Sequence, residues 1–496
     1  MHWVVARWAF VFFAFCGAAG VLGATARAAD AAAAPGRRPP NVLLILADDQ
    51  GWRDTGYTGS DYYETPNLDR LAREGMAFTN AYAGAGNCAP SRACLLSGLY
   101  GPRHGVYAVG DTDRGPPNKF RLVPVPNKHG LAGSYVTVAE AMRAAGYATG
   151  IFGKWHLSGK DGASQAEQGF DAVFDAGTTG RPRIGNDPKG AFSITDRAAA
   201  FMEANRDKPF FCYVPHHAIH GPLEAREASL AKFKAKPAGK QHDNALYAAC
   251  LYDFDEAVGR LLKKLADLKL DRDTLVVFTS DNGGTPKSSQ EPLRGNKGCY
   301  YEGGIREPMI VRWPGVVVAG STCDVPVVNL DFYPTFLAAA GAKPAPGQML
   351  DGESLLPLFK GGKSLQRPAI FWHFPGYLDV PVTRGRDPLF RTRPVTAMRA
   401  GDYKVLLYHE EWQLDGGRAK VATNNAVEVY NLATDAGERI NLARTDPKKR
   451  EELLDLLLDW MKKADAKMPD QPNVKYDPTG KPKPGKKANG KLDDGD

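Results

Sequence analysis

At 496 residues, 43% of them hydrophobic and 24% charged, the chain is long enough for two domains and too apolar for a disordered polymer. A formal charge of +7 is mild and inflated by a lysine-rich tail; it suits anionic ligands without marking a nucleic-acid binder, and no nucleic-acid module is present. Seven cysteines (16, 88, 94, 212, 250, 299 and 323) are too sparse for a disulfide-built scaffold, and no CxxC pair signals zinc.

Residues 1–28 read as an export signal. Arg7 gives a positive start, "WAFVFFAFCGAAGVLG" is the apolar core, and Ala26-Arg27-Ala28 suits a signal peptidase. A retained anchor is the alternative, but the run is short for a bilayer span. A lipoprotein reading of Cys16 is disfavoured by the bulky Phe15 before it. After cleavage no remaining apolar run could cross a membrane, so the mature chain is expected to be soluble, exported to the periplasm or secreted, with no membrane partner. Its six cysteines could form three bridges, whose pairing sequence does not give.

After the linker "APGRRPP", "NVLLILADD" reads as a strand buried on both faces. "YATGIFGKWH", "PFFCYVPHHAIH" and "DTLVVFTSDNGG" repeat the pattern, each a short apolar run ending in polar, chemically capable residues. Cys212, inside the second of these, reads as a buried small hydrophobe. Helices are expected between the strands: "TPNLDRLAREG" with Pro66 inside a Thr65 cap, "VTVAEAMRAAG" ending on Gly146, and the long "ALYAACLYDFDEAVGRLLKKLADL". Strands alternating with helices predict an α/β domain over 39–360, a large mostly parallel sheet sandwiched by helices, with ligands gathered at the strand ends.

From residue 361 the texture changes. "RPAIFWHF", "VTAMRAGDYKVLLYH" and "NAVEVYNLA" read as antiparallel strands, and a Leu-striped helix begins at Asp446–Pro447. A smaller α+β domain is expected over 361–470, followed by a disordered Lys/Pro/Gly-rich tail over 471–496.

Adjacent Asp48 and Asp49 at a strand end repel each other unless a cation or solvent relieves them. Asp281 and Asn282 end a second strand in the same way. Three carboxylates and an amide form an all-oxygen donor set, favouring calcium, or less readily magnesium, over zinc. Lys154 and His156 are two apart in "GKWH", so an extended segment points both to one side. His220, after His216 and His217, and Lys297, in a glycine-bracketed loop, also follow strand ends. Each alone is an ordinary surface residue; together beside a divalent metal they describe a pocket for a phosphate or sulfate ester. Arg391, Arg393 and Arg399 either line the substrate side of the cleft or are simply solvated. Cys88, in "AGAGNCAPSRACLLSGLY", fits poorly as a thiolate among hard oxygen ligands, and a disulfide stays open.

Cys88-Ala89-Pro90-Ser91-Arg92, followed by Leu95-Leu96-Ser97-Gly98, resembles the signature of the sulfatase family, with Ser97 where that family carries Thr. "LLILADDQGWRDTGYTGS", "GKWHL", "IHGPL", "SDNGG", "RGNKGCYYEGGIREPMIVRWPG" and "EVYNLATDAGERINLA" follow in the family's order. The resemblance implies that Cys88 is converted by a formylglycine-generating enzyme to an aldehyde, whose hydrate offers one hydroxyl to attack sulfur and a second to expel sulfate from a transiently sulfated residue. It further implies that Asp48, Asp49, Asp281, Asn282 and the modified Cys88 hold Ca2+, and that Arg92 orients the hydrate. Lys154 and Lys297 would bind sulfate oxygens, His220, alone or with Lys297, would protonate the leaving oxygen, and His156 would take a proton from the second hydroxyl. A further sulfate-contacting hydroxyl has no assigned residue. The activity implied is hydrolysis of sulfate esters, with sulfated carbohydrates as expected substrates. Phosphodiesterases and phosphonate monoester hydrolases of the same fold are the alternative, and a non-catalytic binder of sulfated glycans is the alternative of another class.

Overall fold

The computed structural model describes residues 38–176 and 186–485. The expected export signal and the end of the tail lie outside the described residues.

The unbroken apolar run Asn41–Ala47 forms β1, buried along its whole length. Its side chains alternate between two cores, as a strand's must. Val42, Leu44 and Leu46 pack with Leu95, Leu96 and Phe336 on one face; Leu43 and Ile45 pack with Tyr247, Leu251 and Phe254 on the other. Around β1 are β2 (Met76–Tyr82), β3 (Ala148–Phe152), β4 (Ala172–Phe174), β5 (Phe210–Pro215), β6 (Thr274–Ser280), β7 (Arg306–Arg312), β8 (Ser321–Cys323) and β9 (Val327–Val328). Their order is β4-β3-β5-β1-β6-β7-β2-β8, with β9 also on β2. Central pairs β1–β5, β1–β6 and β3–β5 are parallel, while β7 runs antiparallel to both β6 and β2. The expected sandwich is present, including the 23-residue helix Ala245–Asp267. Among the described residues no helix is long and apolar enough to cross a membrane.

A second sheet, fully antiparallel, runs β10 (Ile370–Phe374), β11 (Val395–Ala400), β12 (Tyr403–Tyr408), β13 (Val427–Asn431). The helix Pro447–Lys463 covers it with Leu453, Leu454, Leu457 and Met461, and starts where Asp446 accepts from the Lys449 N–H. This sheet is pinned to the first. The Trp372 indole donates to the Ala83 carbonyl at 2.7 Å, and buried Lys404 bridges Glu302 and Glu438 at 3.0 and 2.8 Å.

The tail differs from expectation over its described part, 471–485. Val123 N–H donates to the Gln471 carbonyl, Asn473 N–H to the Arg121 carbonyl, and the Lys119 ammonium to the Asp477 carbonyl. Backbone pairing with residues 117–123 holds a segment whose composition alone argues for disorder. The six cysteines 88, 94, 212, 250, 299 and 323 are free thiols, so none of the possible bridges is formed.

Candidate active site

The carboxyl ends of β1 and β6 lie side by side because Asp281 N–H continues the ladder onto the Ala47 carbonyl at 3.1 Å. This brings Asp48, Asp49, Asp281 and Asn282 together although more than 230 residues separate the two pairs. Asp49 sits at φ 67°, and its N–H donates to Asp281 Oδ1 at 3.1 Å. All four residues are buried.

Cys88 opens the helix Cys88–Ser97 and points its Sγ at the same place, 3.5 Å from Asp48 Oδ1 and 3.8 Å from Asp49 Oδ1. Its exposure is 0%. Burial pushes the thiol well up, against the pull of Lys154 and Lys297, so it stays protonated. One turn further along, Arg92 aims Nε and Nη2 at Asp281 Oδ2, at 2.9 and 2.8 Å, and Nη1 at the Lys154 carbonyl. Asn329 fixes the helix from behind by donating to Ser91 Oγ at 2.8 Å.

The cations follow other strand ends. Lys154, after β3, places Nζ 2.6 Å from Asp48 Oδ2; Lys297 places its own 2.9 Å from Asp49 Oδ2. Burial opposes ionisation of Asp48, but Lys154, His220, Arg92 and Lys297 outweigh it and hold the carboxyl well below its usual range. His220 Nδ1 is 2.7 Å from the Gly221 carbonyl, which can only accept, so that nitrogen carries the proton and Nε2 faces Asp49 Oδ2 at 3.6 Å. Burial, then Lys297, lowers the His220 pKa. His156 sits at φ 65° with Nδ1 buried and without a hydrogen-bond partner; burial, Lys154 and Arg92 hold it well below the usual histidine range, as a neutral base.

The residues fit a hard divalent ion. Donor atoms of Asp48, Asp49, Cys88 and His220 lie within 4.8 Å of one another. Asn282 Oδ1 is buried without a hydrogen-bond partner while its Nδ2 lies 2.8 Å from Asp49 Oδ1, an orphaned oxygen beside clustered carboxylates. The fixed charges also fit. Asp48, Asp49 and Asp281 balance Arg92, Lys154 and Lys297, so a bound divalent cation would leave a net positive pocket, complementary to an anionic ester.

A family model described as Sulfatase matches residues 40–342, more than half of the chain. The chain belongs to the sulfatase family. A second model, N-sulphoglucosamine sulphohydrolase, C-terminal, matches residues 295–464. The chain is 33% identical to "Sulfatase" of Formosa agariphila, covering 86% of this chain and 88% of that one. It is 34% identical to arylsulfatase A of Homo sapiens, covering 82% and 83%. Among solved structures, Ps i-CgsB in complex with κ-ι-κ-neocarrahexaose superposes with a TM-score of 0.68 at 28% identity, covering 88% of this chain and 95% of the other. The protein is a sulfuric ester hydrolase.

Of the three arginines, Arg391 and Arg399 are buried and Arg393 is half-buried. Arg393 pairs with Asp387 and Glu410, and Arg399 contacts Asn80 and Tyr82. Arg391 is buried behind the cleft, donating to the Lys297 carbonyl at 3.3 Å, its Cδ packed where Gly298 leaves room. Sequence reasoning missed this backing. Spacing carries no signal for it, because Arg391 and Lys297 lie 94 residues apart. It also missed Asn329, whose amide is indistinguishable in sequence from any loop asparagine.

Proposed function

We propose that this chain is an exported, calcium-dependent sulfatase that removes sulfate from carbohydrate esters by way of a formylglycine at position 88. The seating of Cys88 carries the reading. A thiol kept neutral by burial is a weak nucleophile and a poor partner for hard oxygen ligands, whereas an oxygen-bearing residue derived from it matches them. In hydrated form the modified residue supplies two hydroxyls on one carbon, one to attack sulfur and one to release sulfate. Asp48, Asp49, Asp281 and Asn282 would hold calcium, which supplies Lewis acidity toward a sulfate oxygen.

The chain's own side chains do the rest. Arg92, locked by its fork onto Asp281 and by the Lys154 carbonyl, holds the first turn of its helix in register. Lys154 and Lys297 flank position 88 and offset charge developing on the sulfate oxygens. His156 is neutral at rest, ready to take a proton at its ring nitrogen. His220 presents Nε2 to the cleft; an anionic ester beside it raises its proton affinity, letting it hold the proton that the departing sugar oxygen needs. Export rests on residues 1–28, and a carbohydrate substrate on the neocarrahexaose bound by the 28%-identical neighbour.

The test compares sulfate and phosphate esters side by side, using protein produced with a formylglycine-generating enzyme. Hydrolysis of sulfated sugars well above phosphate monoesters and diesters is expected. Predominant phosphate-ester turnover would overturn the assignment.

A further inference from the structure

Lys189 belongs to none of the groups above. It precedes the helix Ala191–Ala204, is 8% exposed, and sits at φ 55°, a conformation that non-glycine residues avoid. Its surroundings impose that backbone. The Lys189 N–H donates to Glu224 Oε2 at 2.9 Å, and the Asp187 carboxylate accepts from the Phe192 and Ser193 N–H groups at 2.7 and 3.2 Å. Strain of this kind clusters where position matters to function.

Glu224 receives the amide of Lys189, and among the described residues no hydrogen bond or ion pair holds the Lys189 ammonium. Burial lowers its pKa, and the charges it feels are those of Cys250, Glu224, Asp48 and Lys154. Asp48 and Lys154 stand in the active site, and Glu224, which accepts from the Lys189 N–H, is four residues past His220, so Lys189 sits beside the His220 loop within reach of the active-site charges. The other cations there are matched: Arg92 by Asp281, Lys154 by Asp48 and Lys297 by Asp49. Lys189 is nearly buried yet its ammonium is not sealed, so the charge is open to an incoming anion that would complete its pairing.

We propose that Lys189 binds a second anionic group of the substrate, a carboxylate or further sulfate carried near the scissile sulfate, so that the preferred substrate is a polyanionic glycan. The inference rests on the sulfatase reading of the neighbouring site and extends it to specificity. Lys189 meets an anion that takes no part in bond breaking, so it selects among esters and leaves the chemistry to the groups already described.

The test pairs sulfated sugars that differ only by one added carboxylate or one added sulfate, assayed with the wild-type protein, Lys189→Gln and Lys189→Arg. In the wild type the added anion raises kcat/KM by about tenfold or more, the size expected of one charge-assisted hydrogen bond. Lys189→Gln loses that gain and keeps its rate on the singly charged ester, while Lys189→Arg keeps part of the gain. Which of the two added anions gives the larger gain identifies the partner group. Equal losses on all esters, or no preference in the wild type, overturn the proposal. Lys189→Gln also unfolds at the same or a higher temperature, since an uncompensated charge is gone; a lower midpoint marks Lys189 as structural and overturns it too. Calorimetric titration of the same sugars into a Cys88→Ala protein reads binding without turnover. A doubly charged sugar that binds tighter, and loses that advantage with Lys189→Gln, supports Lys189 even if no sulfate ester is turned over, an outcome that would count against the sulfatase reading alone.

Discussion

The Cys88 side chain is sealed from solvent and protonated, and the Asp48 and Asp49 oxygens lie within 4 Å of its sulfur. Changing Cys88 to Ser keeps the volume and removes the route to a second hydroxyl. Multiple-turnover sulfate hydrolysis is expected to fall about 10³-fold or more while the thermal midpoint stays put, read by steady-state assay and calorimetry. His220 makes a different demand. An alkyl leaving group needs its proton, whereas a phenolate departs more readily. His220→Ala should cost roughly 10²–10⁴-fold on alkyl sulfates and clearly less on aryl sulfates, so equal losses on the two classes would remove the acid role. Both residues were legible in sequence, Cys88 through its likeness to the sulfatase signature and His220 through its place after a strand end. Lys189 was not, and Arg391 was read only as a cleft or solvated residue, since one is distinguished by the partner its ammonium lacks among the described residues and the other by a carbonyl far along the chain.

At the scale of elements, the loop from Arg294 to Ile305 belongs to both sheets. Arg294 reaches Tyr430, Tyr301 reaches Glu428, and Arg391 backs Lys297. Truncating Arg391 to Ala should leave the fold intact and lower kcat by about tenfold with a smaller change in KM, because a misplaced Lys297 weakens transition-state contacts more than substrate capture. The buried Lys404 faces two glutamates and cannot neutralise both. Burial lifts Glu438 to about 7, with Lys404 opposing and Glu302 reinforcing, while Lys404, Arg306 and Arg399 overcome burial to keep Glu302 ionised. A carboxyl raised in the folded state contributes stability below the ordinary glutamate range near 4.5 that is lost as pH climbs to about 7. Glu438→Gln should therefore flatten the decline in unfolding free energy between about pH 5 and 7, measured by urea titration. Apolar runs announced β1, β3, β5 and β6, the strands whose ends carry the site; the helix Cys88–Ser97 was not announced, since no side chain caps it. The antiparallel placement of β7 between β6 and β2 was not announced, because which strands pair is decided by packing across long stretches of chain.

For the whole molecule, three carboxylates crowd at the meeting of β1 and β6, so on the calcium reading proposed above the ion is a structural as well as a chemical requirement. Chelation should abolish activity and lower the thermal midpoint. Millimolar Ca2+ should restore both, and Mg2+ should do so less well, as expected when a ligand binds only the folded state. The two-sheet architecture could be read from alternating strands and helices followed by a run of strands. The docking of residues 471–485 against 117–123 could not, since a Pro- and Lys-rich composition says nothing of the backbone groups waiting to receive it.

The sealed position of Cys88 sets an order of events. No enzyme can oxidise a side chain that the finished fold has closed off, so on the formylglycine reading proposed above conversion comes while the segment around "CAPSR" is still an open peptide. The strands that back the Lys297 loop, beginning with Val395–Ala400, are synthesised well after Cys88. Biogenesis therefore has a window, beginning when that peptide emerges and ending when the C-terminal sheet closes. Protein made faster than its thiol is processed would be well folded, soluble and permanently inert.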